Sequence, residues 1–343
     1  MSCAFARDAR KPVLDLLEAC RGADLIVAHA LTYSAPIVAE QLGIRWIGTA
    51  LQPMIFLSAY DPPILGPIAW LSRRRWGPKF HGRLLRFATN SLRSWAKPLD
   101  RIRREAGLPP AATHPLFAGM FSPLLNLVLF SRHLAAPQPD WPAHCVMCGF
   151  PFYDKGMNVE HGSLSPQLEA FLQSGEPPVV FTLGSSAVAA AGNFYRESFL
   201  AAKKFDIRSV LLIGRDERNR PTEPIPDHIC VDDYAPYSLL FPRAGAVVHQ
   251  GGVGTTGQVL RAGKPQIIVP FAHDQPDNAH RITELGCGLW LPRRKLQTDR
   301  LGAMLVQLRE PRFRNKAAEI GAAVTAEDGC AAACDEIDRL FNT

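Results

Sequence analysis

No apolar run in this chain of 343 residues approaches the roughly 20 residues that a membrane-spanning helix needs. The longest cover residues 124–130, 178–183 and 266–271. The first residues show no basic-then-apolar leader pattern, so a cytoplasmic protein is expected. Cysteine is too sparse for a disulfide framework, at 8 in the whole chain. Cys145 and Cys148 form a lone C-x-x-C with no second ligand pair at zinc-site spacing, and read as thiols in a half-buried strand. Cys330 and Cys334 read as packing residues on an Ala-rich helix. No carboxylate pair at a strand end is arranged as a metal site would need, so no metal is expected. What is present is an ordinary globular balance, 47% hydrophobic and 20% charged, which excludes disorder and supports two domains. The net charge of +6 permits anionic ligands without demanding nucleic acid.

The C-terminal half alternates short apolar runs with helical stretches. Strands are expected at 179–183, 209–213, 229–231, 244–249 and 266–269, and helices at 187–205, 254–261, 278–285 and 299–308. Buried strands separated by helices argue for an α/β domain with a parallel sheet covered on both faces. Such a sheet binds ligands outside the carboxyl ends of its strands. In the N-terminal half, strands are expected at 23–29, 45–49, 125–131 and 145–150, with helices at 12–20 and 34–43. Residues 151–178 are rich in Pro, Gly and Ser and read as a linker. The half opens on a helix, without the strand and Gly-rich turn that begin a doubly wound domain, as if its start were missing.

Four strand-to-helix turns carry the chemistry. Val247-Val248-His249-Gln250-Gly251-Gly252-Val253-Gly254-Thr255 runs from a buried strand through glycines into a helix. Glycines let the backbone approach a phosphate, and a helix N-terminus offers unpaired N–H groups and partial positive charge. His249 and Thr255 would add side-chain donors. After the next strand come Asp274 and Gln275, a carboxylate beside a carboxamide, suited to adjacent sugar hydroxyls or simply to capping a helix. Gly184-Ser185-Ser186 could bind phosphate or cap its helix, and Tyr234-Ala235-Pro236-Tyr237 offers aromatics for a nucleobase or an ordinary loop. All four follow strands, so all lie on one edge of one sheet. Gly252, Gly254 and Gly257 also satisfy the dinucleotide pattern G-x-G-x-x-G. That pattern belongs after the first strand of its domain, however, and here it follows about the fourth. An NAD-dependent oxidoreductase is therefore the weakest of three readings.

The stretch from Tyr234 through Asn278 resembles the signature region of family 1, GT-B glycosyltransferases, closest to bacterial macrolide and sterol glycosyltransferases. The resemblance is specific over about residues 176–295 and weaker over 23–175. It implies a GT-B fold of two Rossmann-like domains facing across a cleft, the N-terminal one incomplete. The implied divisions are a truncated acceptor-binding domain at 1–150, a linker at 151–177, a donor-binding domain at 178–310, and helices at 311–343 packing back on the first domain. It puts His249, Gly251, Gly252, Gly254 and Thr255 at the donor diphosphate, with Ser185 and Ser186 near it, and Asp274 and Gln275 at the sugar hydroxyls. Tyr234, Ala235 and Tyr237 fall in the nucleobase region, with Tyr234 where relatives carry Trp and Tyr237 where they carry Gln.

The implied activity is inverting transfer of a hexose from a UDP- or dTDP-sugar, a co-substrate and not a cofactor, to a hydroxyl of a lipophilic small molecule. A base takes the acceptor proton and the diphosphate leaves. The family carries that base, a histidine, on an N-terminal turn that nothing before Ala23 resembles. Roughly 90–100 residues would be absent, a small domain's worth of chain. No catalytic residue is assigned, and His29 reads as structural or cleft-lining. The alternative is an inactive nucleotide-sugar-binding remnant or partner subunit. One feature stands outside this scheme. Between Arg73 and Arg104 lie eleven basic residues against Asp100 alone, interleaved with Trp70, Trp76, Phe80, Phe87 and Trp95. Such a stretch fits a solvated helix at the acceptor cleft or a peripheral membrane contact. No nucleic-acid motif accompanies it.

Overall fold

The computed structural model describes residues 10–65, 72, 74, 76–154, 163–185 and 187–342. It divides into two compact units, Met1–Gly149 with Ala331–Thr343, and Phe150–Cys330.

The first unit is built on four parallel strands, β1 (Leu25–His29), β2 (Arg45–Ala50), β3 (Asn126–Val128) and β4 (Cys145–Met147), in the order β1-β2-β3-β4. Helix Ala35–Leu42 crosses from β1 to β2; Pro36 starts it and Gly43 stops it in the left-handed region at φ 66°. Ile26, Ala28 and Val38 belong to one buried cluster, and Ile47, Leu125 and Leu127 to another, on which Ile337 and Leu340 of the last helix pack. Burial pushes the Cys145 and Cys148 thiols up to about 11, leaving them inert at neutral pH. Cys330 and Cys334 are exposed, which corrects the expectation that they pack.

The second unit is a six-stranded, fully parallel sheet. Its strands are β5 (Val179–Thr182), β6 (Ser209–Leu212), β7 (Ile229–Asp232), β8 (Ala246–His249), β9 (Gln266–Ile268) and β10 (Gly288–Trp290), in the order β10-β9-β8-β5-β6-β7. Alternate residues point to opposite faces. Val180, Val210 and Val247 enter one core; Phe181, Leu211 and Val248 enter the other. Each such side chain contributes roughly 1.5–3 kcal/mol by leaving water. From β5 the chain moves outward to β6 and β7, then returns to place β8 on the other side of β5. That reversal puts the topological switch point between β5 and β8.

Several boundaries differ from expectation. The stretch read as a linker contains helix Pro166–Gln173, capped by Ser165, whose hydroxyl accepts from the Leu168 N–H at 3.2 Å; Leu168 is fully buried. The helix expected over 187–205 is interrupted at Gly192, φ 61°, and runs only over Phe194–Lys204. Helix Pro311–Thr325 belongs to the second unit, where Gly321 meets the backbone of Gly263. Within the last helix, Gly329–Asn342, the first unit takes residues from Ala331 onward.

Candidate functional site

A cavity of about 1080 Å³ opens in the second unit at the carboxyl ends of β5, β6, β7 and β8, astride the switch point. Its floor is made by two turns. One follows β5 through Gly184 and Ser185, and the other follows β8 through Gln250, Gly252, Gly254 and Thr255. Gln250 joins them. Its side chain is buried, and its Oε1 accepts the Gly184 N–H at 3.0 Å. A Cβ on Gly184 or on Gly252 would collide with the same carboxamide. Both positions are therefore glycine because the two turns close on one buried amide.

Helix Val253–Arg261 starts directly at this floor. Its N-cap is Gly252, and no side chain caps it. The first-turn N–H groups of an α-helix have no partner within the helix, and here they meet the cavity with Thr255 beside them. The helix is nine residues long in all, enough for the partial positive charge of a helix terminus. The arrangement suits an anion with several oxygens, such as a diphosphate. The same donors would stabilise the charge that grows when a diphosphate departs.

At the far wall, Tyr237 is fixed. Its hydroxyl is 2.9 Å from Thr182 Oγ1, and its ring stacks on Phe241 at 4.3 Å. Burial raises its phenol above the ordinary value. Tyr234 is 58% exposed and lines the rim, and Ala235 is buried in the wall. The opposite rim is latched by Arg261, which donates to both carboxylate oxygens of Asp154 at 2.8 and 2.7 Å and lies over the Phe152 ring at 4.2 Å. The guanidinium holds the Asp154 carboxyl below its usual range.

His249 departs from its expected role as a diphosphate donor. It is completely buried and lies outside the cavity lining. Its Nδ1 accepts the Gly251 N–H at 3.0 Å, so its proton sits on Nε2, 2.8 Å from Gln266 Oε1. Desolvation lowers its pKa to about 4, and the ring is neutral at pH 7. In this conformation His249 shapes the turn and offers nothing to a ligand. Gly251 belongs to the same shaping, with φ 89° and no room for a Cβ against Ile268.

Asp274 and Gln275 also lie outside the cavity lining. Gln275 Oε1 accepts from the Phe271 and Ala272 N–H groups at 2.7 and 3.0 Å, which folds its own loop. Asp274 accepts from Asn278 Nδ2 at 2.8 Å, and burial raises its carboxyl above the ordinary value. The same Asn278 amide reaches the Gly251 carbonyl at 2.8 Å and so ties this loop to the phosphate turn. Gln250, directly after β8, and Asn278, in the first turn of helix Gln275–Glu284, are site residues that the sequence reading does not single out. Ser185 lines the cavity, and Ser186 falls outside the described residues. His29 is half-buried, and its Nδ1 accepts the Leu31 N–H at 3.2 Å. Among the described residues no cluster of three metal-ligating side chains occurs.

Two units on parallel sheets, the second with a bare helix start at its switch point, define an α/β protein whose cavity suits an anionic ligand. The comparisons with known proteins narrow this. Residues 198–337 match the family Erythromycin biosynthesis protein CIII-like, C-terminal domain. The chain is 32% identical over 339 residues to O-mycaminosyltylonolide 6-deoxyallosyltransferase of Streptomyces fradiae, covering 96% of this chain and 76% of that protein. It is 28% identical to a sterol 3-beta-glucosyltransferase of Leptosphaeria maculans over 94% of this chain, but spans only 22% of that longer protein. Among solved structures, the glycotransferase of kitacinnamycin superposes with a TM-score of 0.76 at 22% identity, covering 99% of this chain and 82% of that one. Glycosyltransferase VinC in complex with dTDP superposes with a TM-score of 0.67 at 23% identity, covering 99% and 80%. The chain belongs to the family 1 glycosyltransferases of the GT-B fold.

Proposed function

We infer that this protein binds a nucleoside-diphosphate sugar, UDP- or dTDP-linked, in the cavity of the second unit, and transfers the hexose with inversion to a hydroxyl of a lipophilic small molecule. The observation that carries this reading is the uncapped start of helix Val253–Arg261 at the switch point of a parallel sheet. Support comes from the tylonolide and sterol transferases among its relatives and from the dTDP held by VinC.

In this reading the diphosphate lies on the Gly252–Thr255 turn, Ser185 faces it, and Tyr234 meets the base. Asp274 and Gln275 come to the sugar hydroxyls only if their present hydrogen bonds rearrange when the donor enters. The leaving diphosphate is stabilised by backbone N–H groups and Thr255, and not by His249, which is neutral and engaged.

The test is thermal stabilisation of the full chain by dTDP, UDP and NAD, followed by turnover of the corresponding nucleotide sugars with macrolide and sterol acceptors. A nucleotide at about 100 times its Kd stabilises by about 2.7 kcal/mol. Stabilisation by dTDP or UDP with turnover supports the whole reading. Stabilisation without turnover on any acceptor leaves a binding subunit. Stabilisation by NAD alone would sink it.

A further inference from the structure

The first unit carries a cationic and aromatic surface that the proposed donor cavity does not include. Between Pro62 and Leu99 the sequence holds eight Lys and Arg residues and no Asp or Glu. Arg73, Arg75 and Trp70 lie outside the described residues, but helix Pro78–Ser91 is described throughout. On this helix Lys79, Phe80, Arg83, Arg86, Phe87 and Asn90 are all exposed. At about 100° per residue these six fall within one arc of roughly 120°. Cations occupy one side of the arc, and Phe80 and Phe87 the other.

The aromatics are not tucked away. Phe87 is 73% exposed and Phe80 40%. Trp76 and Trp95, before and after the helix, are 44% and 47% exposed. The opposite face holds the helix to the fold through the buried His81, whose Nε2 lies 2.9 Å from the Arg74 carbonyl. Lys79, Arg83, Arg86 and Lys97 have no ion-pair partner among the described residues, and Arg93 reaches the lone Asp100 only at 3.4 Å.

Solvation alone explains an exposed arginine. It does not explain four large aromatic rings held 40% or more exposed beside cations without carboxylate partners, even though Trp76 and Phe80 pack edge-to-face at 4.4 Å. We propose that helix Pro78–Ser91 is a peripheral docking face for an anionic lipid surface, with the aromatic rings entering the headgroup layer and Lys79, Arg83, Arg86 and Lys97 meeting lipid phosphates. Charge complementarity picks the partner, because the face is cationic throughout. A single exposed helix face that combines cations with aromatic rings favours lipid over protein. Protein hot spots insert into formed pockets, whereas a headgroup layer receives single rings and snorkelling cations without one. The face belongs to the first unit and the proposed donor cavity to the second, and a lipid surface would give the proposed lipophilic acceptor a place to be met.

The test is co-sedimentation of the full chain with vesicles of phosphatidylcholine alone and of phosphatidylcholine with phosphatidylglycerol. Binding is expected only with phosphatidylglycerol, and is expected to fall about tenfold or more as salt shortens the screening length. The double substitution R83E/R86E and, separately, F80S/F87S should each weaken binding about tenfold or more. These residues are exposed, and stabilisation by dTDP, measured on each variant, reports whether the second unit is intact. Circular dichroism reports the helix. Absence of binding to phosphatidylglycerol vesicles overturns the proposal. So does F80S/F87S binding as well as the unaltered chain, or tighter binding to duplex DNA that ignores the phenylalanines. Loss of dTDP stabilisation with vesicle binding retained would instead count against the transferase reading and leave the docking face standing.

Discussion

Gly254 offers a sharp test, because one substitution there should raise stability and abolish function together. A Cβ at Gly254 meets no heavy atom within 4 Å, so Gly254→Asp enters without steric cost. Replacing glycine in the first turn restricts the unfolded chain, and a carboxylate at a helix N-terminus is favourable by about 0.3–1 kcal/mol. The free protein should gain about 0.5–1 kcal/mol, or roughly 1–4 °C in Tm for a unit of this size. A diphosphate on the same turn would stand about 6 Å from that carboxylate. Two unit repulsions at this distance, for an effective dielectric constant between 20 and 80, amount to roughly 1.5–5 kcal/mol. Nucleotide affinity should therefore fall at least tenfold. Gly254→Ala keeps the stability gain and should leave affinity within about threefold. Calorimetric titration with dTDP and UDP, beside thermal unfolding of the free proteins, reads both quantities. If Gly254→Asp bound nucleotide like the unaltered chain, the diphosphate would not sit at this helix start, and the placement of the donor would be wrong.

The neighbouring residues predict different signatures. Gly257→Ala should destabilise by about 1–3 kcal/mol in chemical denaturation, because its Cβ would press the Phe150 ring at 2.9 Å; equal stability of Gly254→Ala and Gly257→Ala would contradict the packing. Gln250→Ala leaves the Gly184 N–H without its acceptor and should cost about 1–3 kcal/mol and weaken nucleotide binding, read by the same two assays. His249 has a folded pKa of about 4 against an ordinary 6.5, so the unfolded chain binds the extra proton. Its contribution is complete above pH 6.5 and is lost as pH falls from there toward 4, by roughly 3 kcal/mol in all. Unfolding free energies measured between pH 5 and 6.5 should slope accordingly, and His249→Gln should flatten that slope. An unchanged slope would mean that His249 is not neutral and buried.

Much of the second unit was legible because its strands are short β-branched or apolar runs that end in glycine and polar residues. Val247-Val248 leading to Gly251-Gly252 is such a case, and its turn holds the cavity floor as expected. What escaped depended on partners distant in sequence. The fate of His249 is decided by Gln266, whose amide closes its second nitrogen. The bridging role of Asn278 exists only because β8 and β9 are neighbours. Strand β10 has three residues and is defined by its pairing with β9 rather than by any pattern of its own. Helix Pro166–Gln173 was hidden for a different reason. Serine and proline read as loop residues by composition, although Ser-Pro at a helix start is a cap followed by a preorganised first turn.

The misplaced G-x-G-x-x-G shows how topology changes the meaning of a motif. In a dinucleotide-binding domain the pattern follows the first strand, and its third glycine allows the helix to pack closely on the sheet. Here it follows β8, and Gly257 makes room for the Phe150 ring instead. Asp274, at the spacing of a ribose-binding carboxylate, is engaged by Asn278 and lies outside the cavity lining. Yet the turn still reaches the switch point, because β8 flanks it from one side as β5, the first strand, does from the other. The crevice is thus floored by two turns rather than one, Gly184-Ser185 and Gly252–Thr255, locked by the Gln250 carboxamide. The bare helix start, with Thr255 beside it and Ser185 on the facing turn, suits an anion with several oxygens, whereas the Gly184 N–H is spent on the lock itself.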